Sequence, residues 1–265
     1  MTAPKLSIAT ANGRMYYHPA KAYQVPSITN VMKQKNKPPI NKWMVGKAAT
    51  YAAENLDKLQ PLAVEERIRL IKGSLWETSD SALHGDIVHD WIDTYVKTGS
   101  VVTETYTDKE GNTKPAPITT QHMWETFLAF ERHYKPRFVM SEFTVWSDTY
   151  GYAGTGDLAF YLGDSLVLAD TKTGKNVYWD TGLQLAAING ADFIINEQGQ
   201  ETPIPKFDRF AVLHIRPTQF KLVPMDNIDQ CFQCFLGLKT SFDTEMNFSD
   251  SVMGYAPTIK AKTVA

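Results

Sequence analysis

Cysteine is nearly absent from this chain of 265 residues, which holds only Cys231 and Cys234. Two thiols fall short of the four that a cysteine-ligated iron–sulfur cluster takes, so no cluster is expected. Both lie on a helix expected over Asp226–Phe242, where Cys231, Phe235 and Leu238 share an apolar face, and the expectation is a buried pair of reduced thiols. Long apolar runs are missing as well. No stretch approaches the roughly 18–20 residues needed to span a bilayer. Met1 to Arg14 also lacks the long apolar core of a secretion signal, so a cytoplasmic protein without a membrane partner is expected. Nor is there an excess of one charge: 27 Lys and Arg stand against 29 Asp and Glu, a formal charge of −2. That excludes a global basic field, so any contact with nucleic acid has to come from local patches. Internal repeats and low-complexity tracts are absent too. What remains, 43% hydrophobic and 21% charged, suffices for a sizeable core, and a single domain over residues 1–265 is expected.

The chemistry concentrates in Gly154-Thr-Gly-Asp157 and, after the apolar run Leu166-Val-Leu-Ala169, in Asp170-Thr-Lys172. A β-strand sends alternate side chains to one face, so Asp170 and Lys172 point together, roughly 6–7 Å apart at their backbones. Asp157 opens the strand-like run Leu158-Ala-Phe-Tyr-Leu162, and Gly163-Asp164 is a hairpin turn signal between the two runs. Two antiparallel strands thereby bring two carboxylates and an ammonium to one place. Hydrolysis of a phosphodiester needs that set: hard oxygens for Mg²⁺ or Mn²⁺, and a cation beside the attacked phosphate. Most Asp-x-Lys pairs are solvated charge pairs. Here they end an apolar strand, where uncompensated charge is costly, and the glycines before Asp157 are expected to leave room for a ligand.

Three more polar residues accompany this set. From Ser79 to Thr98 the residues Leu83, Ile87, Trp91 and Tyr95 recur every four positions, which predicts an amphipathic helix with Ser79 or Asp80 as N-cap. It carries His89, with Gly85 one turn earlier on the same face, where another element or a ligand can approach the imidazole. Gln184 sits early in an apolar helix expected from Thr181 to about Ile195, after a linker from Gly174 to Asp180; its amide either orients a phosphate, a water or Lys172, or satisfies the helix start. Glu142 lies in a strand expected over Phe138–Trp146, alternating with Met140 and Thr144, and is an additional acid for the site. His84 and His18 read as structural or exposed.

Four motifs together resemble the RecB-type branch of the PD-(D/E)XK nuclease superfamily. They are His84-Gly-Asp-Ile-Val-His-Asp90, similar to a Gly-x-x-x-His helix, then Gly154-Thr-Gly-Asp157, Asp170-Thr-Lys172 followed by Thr173-Gly174, and Gln184-Leu-Ala-Ala-Ile188, similar to a Gln-x-x-x-Tyr helix. Ile188 stands where the family has tyrosine. The segment Ile28-Thr-Asn-Val31 and the helix bearing Trp43 further resemble phage-borne RecB-like exonucleases. The resemblance implies an α/β fold with a restriction-endonuclease-like mixed β-sheet core flanked by helices. It implies metal ligation by His89, Asp157 and Asp170, with the backbone carbonyl of Thr171 added. Catalysis would fall to Lys172, Asp157, Asp170 and Gln184.

Residues 1–78 are expected to form an N-terminal helical cap, and 79–245 the nuclease core with the C-terminal helix. In the cap a short β-like opening precedes a helix start at Pro26-Ser27-Ile-Thr-Asn30, a Pro38-Pro39 break and a long helix from about Asn41 to Leu59. Lys33, Lys35, Lys37, Lys42 and Lys47 form either a solvated face or a rim that guides a DNA strand. Val101 to Pro117 reads as an exposed hairpin or loop around Glu110-Gly-Asn112, close enough to gate the site. A helix over Thr119–Lys135 and strands over Arg209–Arg216 and Gln219–Val223 complete the layout, with a frayed end from Gly254 to Ala265.

The expected activity is a metal-dependent deoxyribonuclease, an exonuclease acting on single-stranded DNA or free ends in recombination, repair or phage DNA processing, alongside recombination or replication proteins. Two other readings stay open: a catalytically silent DNA-binding or assembly module of the same fold, and a metallohydrolase directed at a nucleotide.

Overall fold

Apolar residues recurring with a period of two across residues 137–172 and 209–224 make strands, and their pairing builds the centre of the molecule. The computed structural model describes residues 6–35, 38–75, 80–108, 110–252 and 254. The chain opens with β1 (Ser7–Thr10), β2 (Gly13–Tyr17) and β3 (Gln24–Pro26), a small antiparallel sheet. Four helices follow: α1 (Ile28–Val31), α2 (Pro38–Glu54), α3 (Leu56–Leu59) and α4 (Val64–Ser74). Next come α5 (Asp80–Thr98), a hairpin of β4 (Thr105–Thr107) and β5 (Thr113–Pro115), and α6 (Ile118–Tyr134). Three long strands, β6 (Arg137–Ser147), β7 (Tyr152–Leu162) and β8 (Ser165–Lys172), precede α7 (Thr181–Asn189). The last elements are β9 (Phe193–Ile195), β10 (Glu201–Pro203), β11 (Arg209–Arg216), β12 (Gln219–Pro224) and α8 (Ile228–Val252).

Seven strands form one mixed sheet in the order β10-β9-β6-β7-β8-β11-β12. Only β8 and β11 run parallel, because the chain crosses over through α7 between them, while β7 and β8 are joined by the expected tight turn with Leu162 opposite Ser165. Helices cover both faces. Leu158, Phe160, Val167 and Ala169 pack with Trp91 of α5 and Phe127 of α6, and the alternate residues Ala159, Leu166 and Leu168 pack with Leu183 of α7 and Phe235 of α8. The chain is therefore mixed α/β, a large sheet flanked by helices. None of the described helices is long and apolar enough to cross a membrane.

Several expectations change here. The β-like opening of the N-terminal region is the β1–β3 sheet, but α1 after it is a core element and not part of a separate cap, with Ile28 and Val31 buried against β7 and α7. Ser27 caps α1 by accepting the Asn30 amide at 3.0 Å. The helix expected from about Asn41 to Leu59 starts earlier, at Pro38, since a proline in the first turn forfeits no intrahelical bond, and it ends at Glu54, with α3 separate. The helix expected through Ile195 stops at Asn189, where Gly190 terminates it, and Phe193-Ile-Ile195 pairs with β6 as a strand. The C-terminal helix runs past Phe242 to Val252. Cys231 and Cys234 are free thiols, but the pair is not buried: Cys231 is half-buried against the core and Cys234 is exposed. His18 is structural, fully buried edge-on to Trp146 at 4.9 Å between their ring centroids. Ser79, Lys37 and residues 255–265 lie outside the described residues.

Candidate metal centre

The alternation of β6 slips first at the register shift between Phe138 and Met140 and again, together with β7, at the level of the two acids. Ser141 and its partner Leu158 face α5, whereas Phe143, opposite Gly156, faces α7 and α8. Between them lie Glu142 and Asp157, which are not paired in the ladder. Glu142 adopts φ of 45°, a left-handed conformation that costs a non-glycine residue on the order of 1–3 kcal/mol and is met mostly where function requires it. The slip also corrects the expected face. Met140 packs with the α7 and α8 layer, but Thr144, between the two inward residues Phe143 and Val145 of that layer, points the other way.

Helix α5 lies along the same strands and presents His89 to these acids. A Cβ on Gly85 would stand 2.9 Å from Thr173 Oγ1, His89 bonds the Thr171 carbonyl, and Asp93 accepts from Ser141 Oγ, at the level of Ala169, at 2.6 Å. Four helical residues rise about 6 Å and two strand residues about 6.6 Å, so helix and strand keep step. Gly85 thus serves the close approach of β8 to the helix. Its direction matters for the β4–β5 hairpin: α5 runs away from the Lys172 end of β8, so the hairpin after Thr98 emerges at the opposite end, anchored by Val101, Tyr106 and buried Ala116. The expectation that it gates the site is corrected by this polarity.

His89 Nε2 donates to the Thr171 carbonyl at 3.0 Å, which turns Nδ1 toward Asp157 Oδ2 at 3.6 Å and Glu142 Oε1 at 3.8 Å. One ligand atom from each of His89, Glu142 and Asp157 lies within 4.8 Å of the others. Asp157 Oδ2 also accepts the Thr171 amide at 2.8 Å, because the β7–β8 ladder ends at Leu158 and Ala169 and leaves that amide to a side chain. Burial alone would push the imidazole down, but the charges of Asp157 and Glu142 prevail and raise it to about 9. A positive charge is wanted at this point.

Asp170 is 1% exposed, ion-paired with Lys172 Nζ, and neither of its carboxylate oxygens has a hydrogen-bond partner. Burial first, then the charge of Asp157, pushes its carboxyl up to about 6 against the pull of Lys172 and His89. Burial pushes the Lys172 ammonium down, yet Asp170 and Asp157 outweigh it and hold its pKa above the usual lysine value. Asp170 and Asp157 thus both act on this ammonium, and Asp170 lies outside the group formed by His89, Glu142 and Asp157. This donor set, all oxygen but for one imidazole nitrogen, fits Mg²⁺ or Mn²⁺.

The other sequence-derived residues divide. The Thr171 carbonyl orients His89 through its hydrogen bond. Gln184 is half-buried on α7 and makes no hydrogen bond among the described residues. Glu142 belongs to the cluster itself. The glycines before Asp157 hold no open space: a Cβ on Gly154 would meet Ile28 Cδ1 at 2.4 Å, and one on Gly156 would meet Phe143 Cζ at 2.4 Å. Two residues went unread. Tyr16, buried and bonded to Thr155 Oγ1 at 2.8 Å, has its hydroxyl pushed up by burial, with a smaller push from Glu142 and Asp157, and no local spacing signals it. His214, opposite Lys172, holds the Gly174 carbonyl at 2.8 Å; a lone histidine in the apolar run Phe210–Ile215 was the available signal. A cavity of about 940 Å³, lined among others by Val167, Phe207 and Arg209 at the other end of β8, contains none of these residues. No protein-family model and no curated protein matches this chain.

Proposed function

We propose that the chain is a metal-dependent deoxyribonuclease with a restriction-endonuclease-like core of the RecB-type PD-(D/E)XK kind, an exonuclease working on DNA ends in recombination, repair or phage DNA processing. One observation carries this reading. A buried carboxylate without hydrogen bonds, Asp170, shares a strand end with an ammonium and adjoins a His–Glu–Asp cluster. Such a grouping, with Lys172 as the ion-pair partner of Asp170, is costly unless a cation completes it, because desolvating buried charges can outweigh the attraction between them. A module that only binds DNA has no need of it.

His89, Glu142, Asp157 and Asp170 would hold Mg²⁺ or Mn²⁺. Bound there, the ion supplies Lewis-acid polarisation of a phosphoryl oxygen and a more acidic water. The remaining work falls to the chain. Lys172 Nζ contributes positive charge where the phosphate oxygens gain negative charge, a role worth ~10²-fold or more in rate. Thr171 fixes the tautomer of His89 by accepting from Nε2, leaving Nδ1 for ligation. Lysines of the N-terminal region, Lys33 and Lys42 among them, are exposed, and this reading assigns to them the phosphate contacts that the overall charge does not provide.

The test is incubation of the purified protein with end-labelled linear DNA and covalently closed circular DNA, with Mn²⁺, Mg²⁺ or EDTA. Cleavage of linear DNA that requires the metal and is lost in Asp157→Ala and Asp170→Asn is expected. Full activity in excess EDTA overturns the metal mechanism, and efficient cutting of the closed circle overturns the requirement for an end.

A further inference from the structure

The loop from the Lys172 end of β8 to α7 turns two aromatic side chains out to solvent. Tyr178 is 54% and Trp179 60% exposed. Trp91, Trp124 and Trp146 are almost completely buried, whereas Trp179 shares its exposure with Trp43 of α2, 54% exposed, and differs from it by standing on the loop that leaves the Lys172 strand end. One contact of the Trp179 ring is the Lys35 ammonium, 4.4 Å from its centroid, and Lys35 is itself held by Asp180 Oδ2 at 3.1 Å. The loop is pinned at both ends. The amides of Thr181 and Gly182 donate to the carbonyls of Tyr178 and Trp179 at 3.2 and 3.0 Å, and His214 donates to the Gly174 carbonyl. Asp180 is near enough to act on the charge of Lys172. A solvent-facing indole backed by a cation therefore stands on the short loop that leaves the strand end holding Lys172.

We propose that Trp179, steadied by Lys35, is a stacking platform for an unpaired base adjoining the scissile phosphate. The inference rests on the nuclease reading and narrows its substrate to a single strand or a frayed end. A base inside a duplex has both faces covered by its neighbours, so only an unpaired one can lie on the indole. Any of the four bases offers a π-face, which makes the platform tolerant of sequence, and the Lys35 ammonium adds attraction for the neighbouring phosphate.

The experiment measures Mn²⁺-dependent cleavage of a single-stranded oligonucleotide by wild type, Trp179→Ala and Trp179→Phe, using an intact strand and strands with one abasic nucleotide moved stepwise from the end. Trp179→Ala is expected to raise KM about tenfold, with the loss falling on KM more than on kcat, and Trp179→Phe to restore most of it. In wild type, an abasic nucleotide at one position is expected to raise KM by a similar factor, and that penalty is absent in Trp179→Ala. Melting temperatures of the variants serve as the folding control. If wild type cuts but Trp179→Ala keeps the wild-type KM, or if the abasic penalty is the same in both proteins, the platform is wrong and the nuclease reading stands. If wild type cuts no strand with either metal, the nuclease reading fails and takes the platform with it.

Discussion

Replacing Asp170 by asparagine should stabilise the metal-free protein while removing its metal binding. In the ion-free fold the Asp170 carboxyl is held at about 6 instead of its ordinary 3.8, with burial the largest cause. At about 1.4 kcal/mol per pH unit, the charged form weakens the fold by about 3 kcal/mol above pH 6. The sign follows from the direction of the shift. A carboxyl raised in the folded state takes its proton more readily there, so the penalty is nil below pH 3.8, grows between 3.8 and 6, and is complete above. Asparagine keeps the shape without the charge. The attraction of Lys172 is already contained in that shift, so its loss in the variant does not cancel the gain. For a chain of this size about 3 kcal/mol corresponds to at most ~10 °C. The assay is thermal unfolding in EDTA at pH 8 and pH 4: the variant should melt several degrees above wild type at pH 8, and the difference should shrink at pH 4. Mn²⁺ at a thousandfold over its Kd should reverse the order at pH 8, because ligand at that excess stabilises wild type by about 4.1 kcal/mol. A variant that melts at or below wild type in EDTA at pH 8 would refute the reasoning.

The same structure sets other tests. His89→Ala should weaken Mn²⁺ affinity most in titration calorimetry, and Glu142→Gln should weaken it too; unchanged affinity in Glu142→Gln would remove that residue from the centre. Lys172→Met should keep metal bound yet lose ~10²-fold in rate, and wild-type turnover in a folded variant would make the lysine structural. Gly156→Ala should destabilise by about 1–3 kcal/mol in denaturant unfolding, and less so when combined with Phe143→Ala, which vacates the space the methyl needs. Shortening the hairpin at Glu110–Asn112 should leave the ratio of linear to circular cleavage unchanged, since the hairpin stands at the far end of α5; a changed ratio would restore it as a gate.

The strands and helices that carry the centre were legible because their cues are local. A two-residue period, a glycine turn at Gly163-Asp164 and a four-residue apolar stripe through Leu83, Ile87, Trp91 and Tyr95 each act within a few residues, and β8, α5, α6 and β11 follow them closely. For the same reason the sequence could set Asp170 beside Lys172 and nominate His89 and Asp157. The β9 strand escaped because Phe193-Ile-Ile195 carries no period long enough to separate strand from helix, and its partner Val145 is distant in the chain. What joined His89, Glu142 and Asp157 is tertiary: the step match of α5 with β8, and a left-handed Glu142 that breaks the alternation on which a strand reading depends. The glycines before Asp157 show the same limit. Their spacing reads as room for a ligand, but whether that room stays empty is decided by Ile28 and Phe143, side chains brought there by strand pairing and by α1 packing. Local sequence fixes which atoms are available, and only the packing of distant segments decides which of them meet.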